Sequence, residues 1–166
     1  MSSLGSSSPF FQDYMPGNVC FGCGQDNPDG LQIHSFWDGD TAICHWMPEK
    51  KYWGWVNVMN GGIIATLIDC HCMGTALAEA YRSENRSLES EPVYRYATGT
   101  LTVKYLKPTP GDRKLEIRAR VVHVKGRKTT LKAEVWSGEW LTATADVIAL
   151  RVIDTSIPTE GNPFSG

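Results

Sequence analysis

One carboxylate, Asp69, lies inside an otherwise apolar run, VNVMNGGIIATLIDCHCMGTAL, residues 56–77. Aspartate is a poor helix-interior residue. Taken out of water, it needs a partner or a raised pKa. An isolated helical acid usually belongs to a solvated face. One set between Ile68 and Cys70 is a candidate general base or nucleophile. The same run opens on Asn60-Gly61-Gly62. A Gly-Gly pair is often only a turn with a close backbone approach. Yet a helix N-terminus also presents unpaired N–H groups at the positive end of its dipole. Gly61 and Gly62 have no side chains to shield those groups, so the turn is a candidate oxyanion hole, with Asn60 as cap and supporting amide. Hydrolytic attack on a carbonyl needs these two things: an activated water or carboxylate, and donors for the charge that develops on the carbonyl oxygen.

Eight residues separate Gly61 from Asp69, about 12 Å along a helix axis. A single carbonyl must be contacted at about 3 Å, so one helix does not bring both groups to it. Two antiparallel helices across a two-fold axis do, and each dimer then holds two composite sites. The expected assembly is a homodimer or a dimer of dimers.

Other residues invite chemistry less directly. Cys20-x-x-Cys23 has half of a zinc ligand set, but no second CxxC follows. Cys70, His71 and Cys72 are consecutive, fan about 200° around a helix, and do not jointly chelate one ion. No metal and no redox cofactor are therefore expected. Five cysteines, an odd count, point to reduced thiols and a cytoplasmic setting. His71 reads as a structural core histidine rather than a base, and no G-x-S-x-G elbow is present. Lys125, Arg127 and Lys128 crowd one turn; this is either a solvated tip or a phosphate clamp. Most of the six tryptophans belong to core or interface, while Trp53 and Trp55, just before the helix, are candidates for an acyl pocket.

The elements that must position these residues are visible in the periodicity. Ile63, Ile64, Leu67, Ile68, Met73, Ala76, Leu77 and Ala80 recur at three- and four-residue spacing and predict a long helix, fading at Arg82. Before it, residues 31–37 and 41–47 flank Asp38-Gly39-Asp40 as a hairpin. After Pro92 everything alternates like strand: residues 93–106, 114–124, 128–136 and 139–153, broken at KPTPGD, Lys125-Gly126-Arg127 and Ser137-Gly138. A helix apolar around most of its girth must be buried on several sides. An α+β fold results, one long central helix wrapped by a curved antiparallel sheet of five to six strands.

Length and charge bound the rest. A chain of 166 residues with 42% hydrophobic content suits one domain. It divides into a leader (1–18) that reads as loose, though Phe10, Phe11 and Tyr14 offer apolar side chains to pack onto the body, a domain (19–154) and a tail (155–166). With 16 basic against 18 acidic residues, no nucleic-acid footprint is present. The leader lacks the features of a secretory signal, and no apolar run is expected to cross a membrane.

The combination CFGCG-x-x-NP-x-GL, NGGIIATLID, VKYLKPTPGD and VKGRKTTLKAEVW, in that order, resembles the hotdog-fold thioesterases of the phenylacetate-degradation type (PaaI-like). The resemblance spans about residues 19–152. It implies an acyl-coenzyme A thioesterase active at a dimer interface, with no metal. Asp69 would be the base or nucleophile and Gly61 the oxyanion donor. Basic residues, Arg127 above all, would hold the coenzyme A phosphates. The chain departs from the pattern at Asn60, where similar enzymes carry His; an amide caps and donates but does not act as acid or base near neutral pH. Some relatives keep a hydroxyl that orients the water, which places Thr98 or its competitor Thr100 near the site. A non-catalytic acyl-coenzyme A sensor and, behind it, a hydratase or dehydratase are the alternative activities.

Overall fold

A computed structural model describes residues 8–158. The strands are β1 (Ser35–Asp38), β2 (Thr41–Trp46), β3 (Trp53–Trp55), β4 (Val58–Met59), β5 (Tyr94–Tyr105), β6 (Leu115–Lys125), β7 (Lys128–Ser137) and β8 (Trp140–Asp154), with one α-helix among the described residues, α1 (Gly61–Ser83), between β4 and β5. Six of them form one sheet in the order β1-β2-β6-β7-β8-β5, with every pairing antiparallel. The other two make a small hairpin, β3-β4, which carries Trp53 and Trp55 just before the helix.

The sheet curls around α1, as the hotdog fold requires. Alternate residues of the central strands, among them Ile117, Ala119, Leu131, Ala133, Val135, Ala145 and Val147, are buried against Ile64, Leu67, Ile68 and Cys72 of the helix. The strand face supplies period two and the helix face supplies period 3.6, and the two meet in one dry layer. Contrary to expectation, one segment does have the length and apolarity to cross a bilayer: α1 itself. More than half of its most apolar stretch, 56%, is buried inside the domain, so its hydrophobicity serves the core.

In the described part of the leader, the aromatic residues pack as the sequence allowed. A short 3-10 helix at Phe11–Tyr14 docks on the body: Phe11 and Gln12 are fully buried. Gln12 Nε2 donates to Ser35 Oγ at 3.0 Å, and Gln12 Oε1 accepts from the Ser35 N–H at 2.7 Å. Apolar burial of Phe11 and two buried hydrogen bonds outweigh the Ser/Gly/Pro composition that reads as loose. Residues 1–7, and the tail from 159 onward, lie outside the described residues.

A candidate hydrolytic site at the helix wall

Asn60 begins the helix in an extended conformation (φ −63°, ψ 132°), and its side chain caps it. Asn60 Oδ1 accepts from Gly62 N–H at 2.8 Å and from Ile63 N–H at 3.3 Å. This corrects part of the expected oxyanion hole: the Gly62 amide is already spent on the cap. Among the described residues the Gly61 N–H takes no partner, and it is the free donor at this end. Tyr105, which the sequence does not single out, closes over the turn, its hydroxyl donating to the Gly61 carbonyl at 2.6 Å. A Cβ at Gly61 would meet the Tyr105 ring at 3.4 Å, so the glycine also leaves room for that ring.

Two turns along, Asp69 is half-buried in the wall of a cavity of about 610 Å³. Thr98 Oγ1 donates to Asp69 Oδ1 at 2.5 Å. Burial pushes the Asp69 carboxyl above its ordinary range, the Thr98 hydrogen bond pulls it back, and Cys20 adds a further upward push. One carboxylate oxygen is thus anchored, and the group holds its proton more readily than a free aspartate. Both properties suit a proton acceptor near neutrality.

The choice of Thr98 over Thr100 depends on a bulge. In the β5–β8 ladder Thr98 faces Ala149 and Thr100 faces Ile148, leaving Gly99 as an extra residue. The insertion reverses the parity of the strand. Tyr96 before it, and Leu101 and Val103 after it, all pack on the core, so Thr98 shares the helix-facing side and Thr100 does not. A Cβ at Gly99 would crowd Leu150 at 3.1 Å, and glycine is the residue that fits.

The remaining predicted residues separate. Neither Trp53 nor Trp55 lines the Asp69 cavity within one chain. Trp53 Nε1 donates to the Gly111 carbonyl at 3.1 Å, and Trp55 is 82% exposed. Both belong to the β3-β4 hairpin; Trp53 packs partly on the main core beside the β5–β6 connection, and Trp55 stands out from the surface. The apolar lining comes instead from Met15, Met73, Leu77, Tyr96, Val152 and Ile153. Arg95 is a cation in the same wall, donating to the Tyr94 carbonyl at 2.8 Å; its place in an alternating strand is the only signal the sequence carries for it. Lys125, Arg127 and Lys128 are exposed at the β6–β7 turn. Across the sheet Thr98 pairs with Ala149 and Ala149 with Thr129, so this tip sits beside the row of Thr98, about 10 Å away at two strand spacings.

His71 is fully buried on another side of α1. Its Nε2 meets the Ala42 carbonyl at 3.0 Å and its Nδ1 meets Ser35 Oγ at 2.7 Å. The carbonyl accepts only, so Nε2 carries the proton and Nδ1 accepts from Ser35. Burial pushes its pKa down to about 4. It is the structural histidine the sequence suggests.

One grouping escapes the sequence. Cys70 does not work with His71 and Cys72. It meets Cys20 and Cys23, the three Sγ atoms lying within 4.8 Å of one another. Cys20 is held down to about 5, chiefly by the Cys70 hydrogen bond. Cys23 is lowered by the same partner, and Cys70 is pushed up by both. Three sulfurs so close do not all ionise, and across the 3.7 Å Cys20–Cys70 contact either thiol can be the donor.

The family model described as Thioesterase superfamily matches residues 56–148. A Thioesterase superfamily protein from Shewanella loihica PV-4 is 30% identical, with 73% of this chain and 91% of that chain covered and a TM-score of 0.61. The Escherichia coli PaaI protein from the phenylacetic acid degradation operon is 14% identical, covering 75% of this chain and 82% of its own, with a TM-score of 0.60. A phenylacetic acid degradation-related protein from Ralstonia eutropha JMP134 is 16% identical, covering 72% and 85%, at a TM-score of 0.60. The curated proteins contain no match.

Proposed function

The chain belongs to the Thioesterase superfamily, and from that premise we propose that it is an acyl-coenzyme A thioesterase. The observation that carries the proposal is the half-buried Asp69, tied through one oxygen to Thr98 in the wall of an apolar cavity. In this reading water, held against the free oxygen of Asp69, gives up a proton as it adds to the thioester carbonyl. The oxyanion is received by a Gly61 N–H. The C–S bond then breaks, the proton passes from Asp69 to the departing thiolate, and a carboxylic acid and free coenzyme A leave. The alternative, direct attack by Asp69, uses the same atoms through a mixed anhydride that water then opens.

The apolar lining suits the acyl portion. The basic tip of Lys125, Arg127 and Lys128 suits phosphates at the outer end of the same substrate. The Gly61-to-Asp69 separation still demands a second chain, and the fold offers a place for it. β5, which carries Thr98, is an edge strand of the sheet, with an unpaired row of backbone groups able to accept a partner. A homodimer, or a dimer of dimers, would then bring each Gly61 to the other chain's Asp69. The hydratase alternative lacks support in the geometry, because His71 is committed to Ser35 and Ala42, away from Asp69.

The test is thiol release from a panel of acyl-coenzyme A thioesters, short, long and aromatic, by the wild type and Asp69→Asn. The wild type should turn over at least one class, and the variant should lose about 10²–10⁴-fold in kcat. Unchanged turnover in the variant removes Asp69 from the mechanism. Tight binding without hydrolysis of any thioester establishes the sensor reading in its place.

A further inference from the structure

We propose that Cys20, Cys23 and Cys70 form a Zn(II) site in the cavity wall, with three protein thiolates and a fourth position open to an exchangeable ligand. Zinc bound to thiolates at about 2.3 Å requires sulfur–sulfur edges of about 3.8 Å in a tetrahedron. Cys20 Sγ and Cys70 Sγ stand 3.7 Å apart, and all three sulfurs fall within 4.8 Å. A disulfide needs a separation of about 2.0 Å and joins two sulfurs, leaving a third with no role. All five cysteines are free thiols.

The loop is built to present these sulfurs. Gly24 N–H closes on the Cys20 carbonyl at 2.8 Å, and Ile33 N–H ties back to the Gly22 carbonyl at 3.1 Å. Gly22 N–H donates to Cys20 Sγ at 3.3 Å, and Asn18 Nδ2 to Cys23 Sγ at 3.5 Å. Each donor favours a charged sulfur. A Cβ at Gly22 would collide with Cys70 Sγ; the glycine between the two cysteines is what lets the helix sulfur reach them. The third ligand is rigid because α1 holds Cys70 at 8% exposure. Three crowded thiols repel one another as thiolates, and a divalent cation removes that conflict, releasing their protons to solvent.

No fourth Cys, His or carboxylate joins the group among the described residues, while all three cysteines line the Asp69 cavity. Three protein ligands with one open position is the pattern of an exchangeable centre rather than a closed structural one. The ion would pin the 18–33 loop to α1 and so set one wall of the cavity.

The full-length protein, purified under reducing conditions, is to be assayed for zinc by elemental analysis. It is then stripped with chelator and titrated with Co(II), with the thiolate-to-cobalt charge-transfer band as readout. About one metal per chain is expected, with an intense band and a Tm that falls on stripping. Cys23→Ser and Gly22→Ala should lose the band, and Cys72→Ser, which alters a cysteine outside the group, should keep it. A folded wild type that holds no zinc and shows no cobalt–thiolate band overturns the proposal, whether or not it hydrolyses thioesters. So does a Cys20–Cys70 disulfide as the form that persists under reducing conditions. If a variant fails to fold, the wild-type cobalt titration still decides.

Discussion

Thr98 and Asp69 are 29 residues apart in sequence and meet through one short hydrogen bond. Removing the hydroxyl while keeping the shape, by Thr98→Val, should lower kcat about tenfold or more, the worth of a hydrogen bond to a charged group. KM should move little, because in the proposed mechanism the bond orients the base rather than binding the substrate, and Thr98→Ser should restore the rate. A Thr98→Val enzyme with wild-type kcat would show that the anchor is dispensable. Asp69 itself was legible as an acid stranded in an apolar run, and Asn60 as a cap. Thr98 was not separable from Thr100, because the bulge at Gly99 that changes the strand's parity leaves no mark in the periodicity. Gly62 was misjudged because the cap that consumes its N–H comes from the adjacent side chain, a choice of rotamer rather than of residue type.

At the scale of elements, α1 carries two different faces. One lines the cavity with Asp69 and Cys70; another buries His71 against β1 and β2 through Ser35 and Ala42. Because His71 is neutral when folded, with its pKa lowered from 6.5 to about 4, protonation favours the unfolded chain. The contribution is therefore whole above pH 6.5 and is lost as pH falls toward 4. The slope reaches about 1.4 kcal/mol per pH unit for the single proton. Urea unfolding across that range should show this slope in the wild type and its absence in His71→Gln, which should also be less stable at pH 7 by about 1–3 kcal/mol, the cost of a disturbed buried hydrogen-bond pair. Equal pH slopes in the two proteins would acquit His71. Helix and strand positions followed closely from periodicity, except that the first strand begins at Ser35 rather than at residue 31. The β3-β4 hairpin and the 3-10 helix did not, being too short to show a period and held by tertiary contacts such as the Asn60 N–H to the Tyr52 carbonyl at 3.0 Å.

For the whole molecule, the proposed composite site makes a prediction of its own. Gly61→Pro removes the proposed oxyanion donor yet suits the first helical position, and Asn60 already has the extended conformation that precedes a proline. Homodimers of Gly61→Pro and of Asp69→Asn should both be inactive. Mixed and allowed to exchange subunits, they should recover activity, since a mixed dimer contains one site with an intact amide and an intact acid. No recovery despite demonstrated exchange would place both groups in one chain and remove the need for a dimer.

Local properties of the chain were enough to specify the central helix, the long strands and the order in which they follow, because hydrophobic period and turn residues are written in consecutive positions. They also marked Asp69, since a charge among apolar neighbours is visible without any knowledge of the fold. Tertiary structure alone decided what stands next to that acid. It chose Thr98 through a bulge, lined the cavity with Met73, Tyr96 and Ile153 rather than Trp53 and Trp55, and folded the Cys20–Cys23 loop onto Cys70. These are contacts between distant segments, and they are set by how a curved sheet closes on a helix, which no stretch of sequence a few residues long encodes.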